Sequence, residues 1–475
     1  MRVKYGVVIF VFLAIGLLPS PAHAGGVVTY CGEQQLRAAL AGGGVVTFAC
    51  SGPIVTNTIT ISADTTIDGS GENVTITGAN LARVFVVDPG MTLNLHAITV
   101  AYGAAGPSAD GGGILNQGVL NVTNSTFHGN SARAGGGIYN QGVVTLSNST
   151  LFGNSASGDG GGIYSTGKLT VSASTLSANR ADYGLGGAIK SSFTTAIITD
   201  TLFLANGAMG GGAIHLHGGT ASLSNTRFLS NRGVDALHNF GGGAILTQVA
   251  RLIVSHSTFS DNTTNFLGGG IYNNDGSLHV RASTFSGNSA THSGGGIHSS
   301  YWTTVSNSTF YGNSAGYAGG GICNWGSLGA WTALTVTNST LSDNSSLRGG
   351  GIYNDFSNSL RLENTIVANS LTGSNCSGPI TGDGNLSYPD ASCPGSNADP
   401  MLGPLRDNGG PTHTMEPGLA SPAIDAGNDA VCQTDPVGGH DQRGVVRPVG
   451  LHCDIGAVEV VYAPPRLWLP LIAIQ

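Results

Sequence analysis

The chain has 475 residues and a formal net charge of −8, and only 9% of its residues are charged. Just three are Lys (Lys4, Lys168 and Lys190), a balance that argues against nucleic acid or anionic lipid as a partner. A hydrophobic fraction of 40% excludes a disordered polyelectrolyte, and 76 Gly without an every-third period exclude collagen.

Residues 1–24 read as a secretory signal. Arg2 and Lys4 precede an apolar run from Gly6 to Leu18, and Ala22-His23-Ala24 supplies a small-x-small cleavage site. Its removal takes two basic residues and leaves −10 (16 basic minus 26 acidic). Seven cysteines fit the oxidising compartment this implies. Proximity in sequence pairs Cys31 with Cys50, Cys376 with Cys393 and Cys432 with Cys453, although the four C-terminal cysteines alone allow three pairings. Cys323 is left over and reads as a packed thiol.

Residues 25–110 form the next unit. Cys31 to Leu40 (CGEQQLRAAL) has helical character and reads as a cap. Val45 to Gly103 carries strand text such as TITIS, VTITG and VFVVD, read as irregular first coils.

From 111 to 370 a repeat governs the chain. A Gly-rich motif ends ten times in an isoleucine: Ile114, Ile138, Ile163, Ile189, Ile214, Ile245, Ile271, Ile297, Ile322 and Ile352. An apolar residue followed three positions later by Asn gives ten more landmarks: Asn130, Asn154, Asn179, Asn206, Asn231, Asn262, Asn288, Asn313, Asn344 and Asn369. Gly, Ser, Thr, Asn and Val fill the repeats, and alternating pieces such as VVTLSNST (Val143 to Thr150) read as strands, not helices. Three short strands and three turns fill one repeat, which is a coil of a parallel β-helix.

Coils stack about 4.8 Å apart, so identical positions lie above one another. The ten Ile and the ten Phe/Leu/Ile positions, the last being Ile366, are expected to form two apolar stacks, and the ten Asn an amide ladder. Glycan acceptors are the competing account of Asn here, because NST recurs at Asn124, Asn148, Asn307 and Asn338. The Gly triplet, as in FSGNSATHSGGGIHSS (Phe285 to Ser300), reads as a corner where backbones approach closely. Longer intervals before Ile245 and Ile352 predict inserted loops around Val234 to Phe240 and Trp325 to Trp331. The expected fold is all-β: a right-handed parallel β-helix of about 12 or 13 coils, with a small C-terminal module at 371–460 and an apolar tail at 461–475.

The GGAI at Gly211–Ile214 and the FSGN at Phe285–Asn288 resemble the repeats of polymorphic outer-membrane proteins, over roughly residues 111–370. That resemblance implies a secreted or surface-displayed β-helix, in several cases an adhesin. The membrane β-barrel that ends those proteins has no counterpart in the text after the last repeat. Asp399 to Asn428, with DQRGVVRP (Asp441 to Pro448) and CDIGAVE (Cys453 to Glu459), is similar to the choice-of-anchor module of bacterial secreted proteins. It implies attachment to membrane or cell wall through the C-terminus. The tail PPRLWLPLIAIQ (Pro464 to Gln475) is too short to span a bilayer as a helix; it reads equally as a sorting signal or a last strand.

A polysaccharide lyase or hydrolase is the alternative function. Hydrolysis needs two facing carboxylates; a lyase needs stacked acids holding Ca²⁺ and a strong base. Asp159, Asp200, Asp261, Asp343 and Glu363 are scattered, and Asp261 and Asp343 lie three coils apart, roughly 14 Å. No catalytic residues, cofactor or metal site are therefore expected. His215 and His217 share a strand face but lack a third ligand one coil away, and read as surface histidines. Ca²⁺ has its best case at Asp399, Asp407, Asp425, Asp429, Asp435, Asp441 and Asp454, which read better as Asx-turns. The residue after each repeat Ile forms an outward row that includes Tyr139, Tyr164, His215, Tyr272, His298 and Tyr353. This row is either a platform for a cell-surface carbohydrate or protein ligand, or rings that stiffen the coil. The expected molecule is an exported, monomeric, non-catalytic protein for adhesion or display.

Overall fold

The computed structural model describes residues 25–234, 240–326, 333–355 and 359–461. The signal text, the C-terminal tail and most of both inserted loops lie outside these residues. One coil runs through four short strands. Ile138–Asn140 leads to Val143–Ser147, Thr150–Phe152 and Ser155–Ala156, and the Gly triplet 160–162 returns the chain to Ile163–Ser165. Like strands stack in parallel. We name the sheets C, A, B and D in that order; among the described residues they contain 13, 15, 15 and 8 strands. Sheet D is the difference from three strands per coil: its strands are only two residues long, too short to show as an alternating run.

The core follows from period-2 burial. Val144 and Leu146 point inward while Val143 and Thr145 do not, and the pattern repeats down sheet A. The repeat Ile are all fully buried, as are the Phe and Leu of the inward column of sheet B from Phe127 to Leu341. Phe203, Phe228, Phe259, Phe285 and Phe310 stack face to face at 4.5–4.8 Å, the ordinary strand spacing.

The Asn positions form the wall beside this stack. Asn130 Nδ2 donates to Asn154 Oδ1 (2.8 Å), and the pattern continues to Asn344. Each Oδ1 also accepts the backbone N–H of the preceding Asn, and each Nδ2 donates to a carbonyl such as Phe127 O, so the buried amides are saturated. The tenth pair is out of register. Ile366 stacks on Thr340, and Val367, not Ile366, continues the Leu341 column. Asn369 consequently stands at a left-handed corner (φ 55°), in the place Asp343 holds one coil earlier (φ 59°), and makes no ladder contact. The NST asparagines are a separate set. Asn124, Asn148, Asn307 and Asn338 occupy the left-handed corner between sheets A and B (φ 43–51°), and the serine after each caps the neighbouring coil, as Ser149 Oγ accepts Ser125 N–H.

The three glycines of a triplet do different work. Gly294 has φ +71°, whereas a Cβ on Gly295 would lie 2.4 Å from Gly320 O and 2.5 Å from Ser314 O. The third position is less crowded and is filled by Ala188, Ala213 and Ala244 in three coils.

At the N-terminal end the helix Glu33–Leu40 covers the first coil with Leu36, and Arg37 binds Glu33 and Asn57 O. At the other end the solenoid continues past 370: Cys376–Ser377, Thr381–Asp383 and Leu386–Tyr388 join sheets C, A and B. The disulfides are Cys31–Cys50, Cys376–Cys393 and Cys432–Cys453, and Cys323 is a buried free thiol.

Candidate functional site

The row that follows the repeat Ile is in perfect register on sheet C: Leu115, Tyr139, Tyr164, Lys190, His215, Leu246, Tyr272, His298, Cys323 and Tyr353. It is not an open platform. His215 is 1% exposed and His298 2%, and Leu246, Tyr272, Cys323 and Tyr353 are also buried. A second layer causes this. Met209, Phe240, Phe266 and Leu267 pack over Leu246 and Tyr272, while Tyr317 and Trp325 pack over Cys323 and Tyr353. Sequence reasoning saw the row but not its cover, because the covering residues sit just before the glycines or, for Trp325, in an inserted loop, in text without a fixed motif. The expected surface pair is thereby corrected: His215 is interior, and only His217 is half-exposed.

Stacking also limits what the tyrosines offer. Tyr139 and Tyr164 lie parallel (3°) with centroids 5.0 Å apart. Their faces are spent on each other along the solenoid axis, leaving edges and hydroxyls outward.

One cleft of about 620 Å³ opens in this face, within the range of small-ligand sites. It is lined by Tyr164, Thr166, Leu185, Lys190, Ser192, Phe193, His215, His217, Phe240 and Gln248. Lys190 Nζ pairs with Asp159 Oδ2 at 2.8 Å and sits 6.0 Å from the Tyr164 ring. Asp159 Oδ1 is taken by Leu185 N–H. His215 Nε2 donates to Gln248 Oε1 (2.9 Å), so Nδ1 carries the lone pair, and it has no partner. Burial, then Lys190, pushes the His215 pKa down to about 3, and the imidazole is neutral at physiological pH.

Phe193 stands at the mouth, 74% exposed and edge-on to His217 (4.8 Å). Its φ of 53° places a bulky ring in the left-handed region, at a cost of about 1–2 kcal/mol. The next coil has Gly218 at the same corner (φ +65°), where no such cost arises.

A smaller, mostly apolar pocket of about 220 Å³ lies further along, between Phe266, His292, His298 and Trp325. Burial, then the neighbouring His292, pushes the His298 pKa down to about 3, and burial raises that of Cys323 above the ordinary thiol range. A third depression, of about 500 Å³, has Arg180 and Arg232 on either side of Gly207. Arg180 is paired with Asp182 and its floor is mainly alanine, so it offers little for orienting a ligand.

The scattered acids stay scattered. Asp261 and Asp343 occupy separate left-handed corners, Asp200 bonds Asn225, and Glu363 pairs with Arg361. Among the described residues no group of three or more His, Cys, Asp or Glu is placed to hold a metal. Asp399 and Asp407 accept N–H groups two residues on, as Asx-turns do.

The C-terminal motifs bond to one another and share a core cluster with the last coils, in which Ala423 and Ile455 pack with Ile366 and Leu386. Arg447 is buried and donates to Glu459, Asp454 O and Gly456 O. Asp441 binds Arg443 and the Glu459 N–H. Burial raises the pKa of Asp454 and Glu459. This unit lies back along the last coils. Gln442 bonds Thr284 and Thr309, Asn307 donates to His440 O, Ala457 N–H donates to Thr340, and Asn364 donates to Asn428 O. It thus covers the sheet B flank of those coils, a role no sequence motif announced.

No curated protein matches the chain. Residues 110–333 match the family model described as "Right handed beta helix region". With its parallel sheets in register and almost no helix among the described residues, the chain is a right-handed parallel β-helix.

Proposed function

We propose that this is an exported β-helix of the cell surface or extracellular space, which binds a ligand for adhesion or display and does no chemistry on it. Three disulfides in a right-handed β-helix, with no helix among the described residues long and apolar enough to cross a membrane, are consistent with that setting. The repeats of polymorphic outer-membrane type and the anchor-like C-terminal text support surface display.

The observation that carries the reading is the state of Asp159, the carboxylate paired with Lys190 beside the cleft. Asp159 has one oxygen on Lys190 and the other on Leu185 N–H. A hydrolase needs a second carboxylate across the bond, and a lyase needs an available base; Lys190 is tied to Asp159 and His215 is buried, which leaves the half-exposed imidazole of His217. A polysaccharide-active enzyme is the competing class. The deciding experiment incubates purified protein with a polysaccharide panel, with and without Ca²⁺, and measures both retention on each polymer and release of soluble oligosaccharide. Adhesion to polymer or to cells without release is the expected result; release from any polymer would replace the proposal with the enzymatic reading.

A further inference from the structure

The sheet C face has an open part and a closed part, and the cleft lies at their boundary. The position two residues before each Gly triplet holds Ala109, Arg133, Gly158 and Gly184 in the upstream coils. There Tyr139 and Tyr164 are only partly buried. Downstream the same position holds Met209, Phe240, Phe266, His292 and Tyr317, and the row beneath is sealed. An extended chain lying on the open coils therefore runs into this wall, which Phe240 presents to the cleft.

We propose that the cleft holds the terminal pyranose of a neutral glycan chain. The inference rests on the ligand-binding reading above and assigns that reading a site and a ligand class. Phe193 presents the exposed ring at the mouth, suited to the apolar C–H face of a sugar. Thr166, Ser192, His217, Gln248 and Lys190 border the same space with hydroxyl, imidazole, amide and ammonium groups suited to sugar hydroxyls. The Lys190 charge is already offset by Asp159, so a uronate gains little there. A protein loop would need a wider apolar opening than the one ring provides.

The test is calorimetric titration of the whole protein with maltohexaose, cellohexaose, laminarihexaose and mannohexaose, with tetragalacturonate as the anionic comparison. At least one neutral hexaose should bind. Phe193→Ala and Gln248→Ala should each weaken it at least about tenfold (about 1.4 kcal/mol), while Trp302→Ala, outside the cleft, should not. Alanine already occupies left-handed corners at Ala173, Ala178 and Ala205, so Phe193→Ala keeps the turn, which unchanged thermal unfolding would verify. Kd expressed per chain end should be the same for the hexaose and its parent polymer. Binding that is indifferent to Phe193→Ala, tighter for tetragalacturonate, or stronger per chain end in proportion to polymer length overturns the proposal. If no sugar binds while the protein still adheres to cells, the ligand class falls and the adhesive reading stands; if it neither binds sugar nor adheres, both fall.

Discussion

Replacing Asn231 by Ala isolates the ladder. Asn231 Oδ1 accepts Asn206 N–H and Nδ2–H, both at 3.0 Å, and its Nδ2 donates to Phe203 O (3.0 Å) and Asn262 Oδ1 (2.9 Å). Truncation removes four bonds at a site with no exposure. Two groups keep another partner: Asn206 Nδ2 still reaches Leu176 O, and Asn262 Oδ1 still accepts Asn231 N–H. The Asn206 N–H keeps none. One orphaned N–H, two partly compensated losses and the lost bond to Phe203 O come to about 4 kcal/mol. Nearest-neighbour coupling in a solenoid confines the damage to adjoining coils. Native-state hydrogen exchange should therefore show the Asn206 amide and the strands Leu202–Leu204 and Arg227–Leu229 opening far more readily, with the terminal coils unchanged. Asn369→Ala is the internal control. Its side chain is outside the ladder at a corner that Ala adopts elsewhere, so its effect should stay within about 1 kcal/mol. Equal effects from the two substitutions, or continued slow exchange at Asn206 in the Asn231 variant, would refute the ladder's energetic role.

Three other outcomes are expected. His215 and His298 have folded pKa values near 3 against 6.5 in the unfolded chain, so the unfolded state gains protons first and stability falls as pH drops from about 6.5 towards 3. At pH 5 each contributes a loss of about 2 kcal/mol, and urea unfolding of His298→Gln at pH 7 and pH 5 should show a correspondingly smaller drop than wild type. Burial lowers His128, His256 and His279 as well, in the same direction. Cys323, buried and held protonated, should be silent to thiol reagents in the native protein and give one reactive thiol per chain in denaturant without reductant; labelling of the native state would contradict its burial. Gly295→Val should destabilise its coil by several kcal/mol, since its Cβ meets backbone oxygen that cannot yield. Gly312→Ala, with open space around it but φ +62°, should cost only about 1 kcal/mol; similar melting for the two would argue against the crowding.

Much of the scaffold was legible because a solenoid writes each contact into the text as a period. Ile138 meets Ile163 twenty-five positions later, and the same residue type recurs wherever the same contact does. Legibility failed where the contact leaves that period. At Ile366 the apolar residue precedes its column by one place, and only the pairing of Thr340 with Ile366 reveals the slip. The outward row was visible as a row, but exposure depends on what lies above it, and Phe240 or Tyr317 carry no mark of facing inward. Gln442 reaches Thr284 across 158 positions with no repeat to relate them. The cleft is legible least of all, since Lys190, Phe193 and Gln248 converge only where the cover begins.

The amide ladder has a further property. From Asn130 to Asn313 one Nδ2–H of each Asn points to the Oδ1 of the following coil, while the other points back to a backbone carbonyl of the preceding coil. The row is a vector: aligned amide dipoles that polarise one another along the axis. Its upstream end presents oxygen, which Gly103 N–H satisfies, and at its downstream end Asn344 Nδ2 holds the same backward bond as every other rung, to Phe310 O. Each coil added in order of synthesis brings the acceptor that the coil before it lacks, so the wall grows in the direction in which the chain itself emerges.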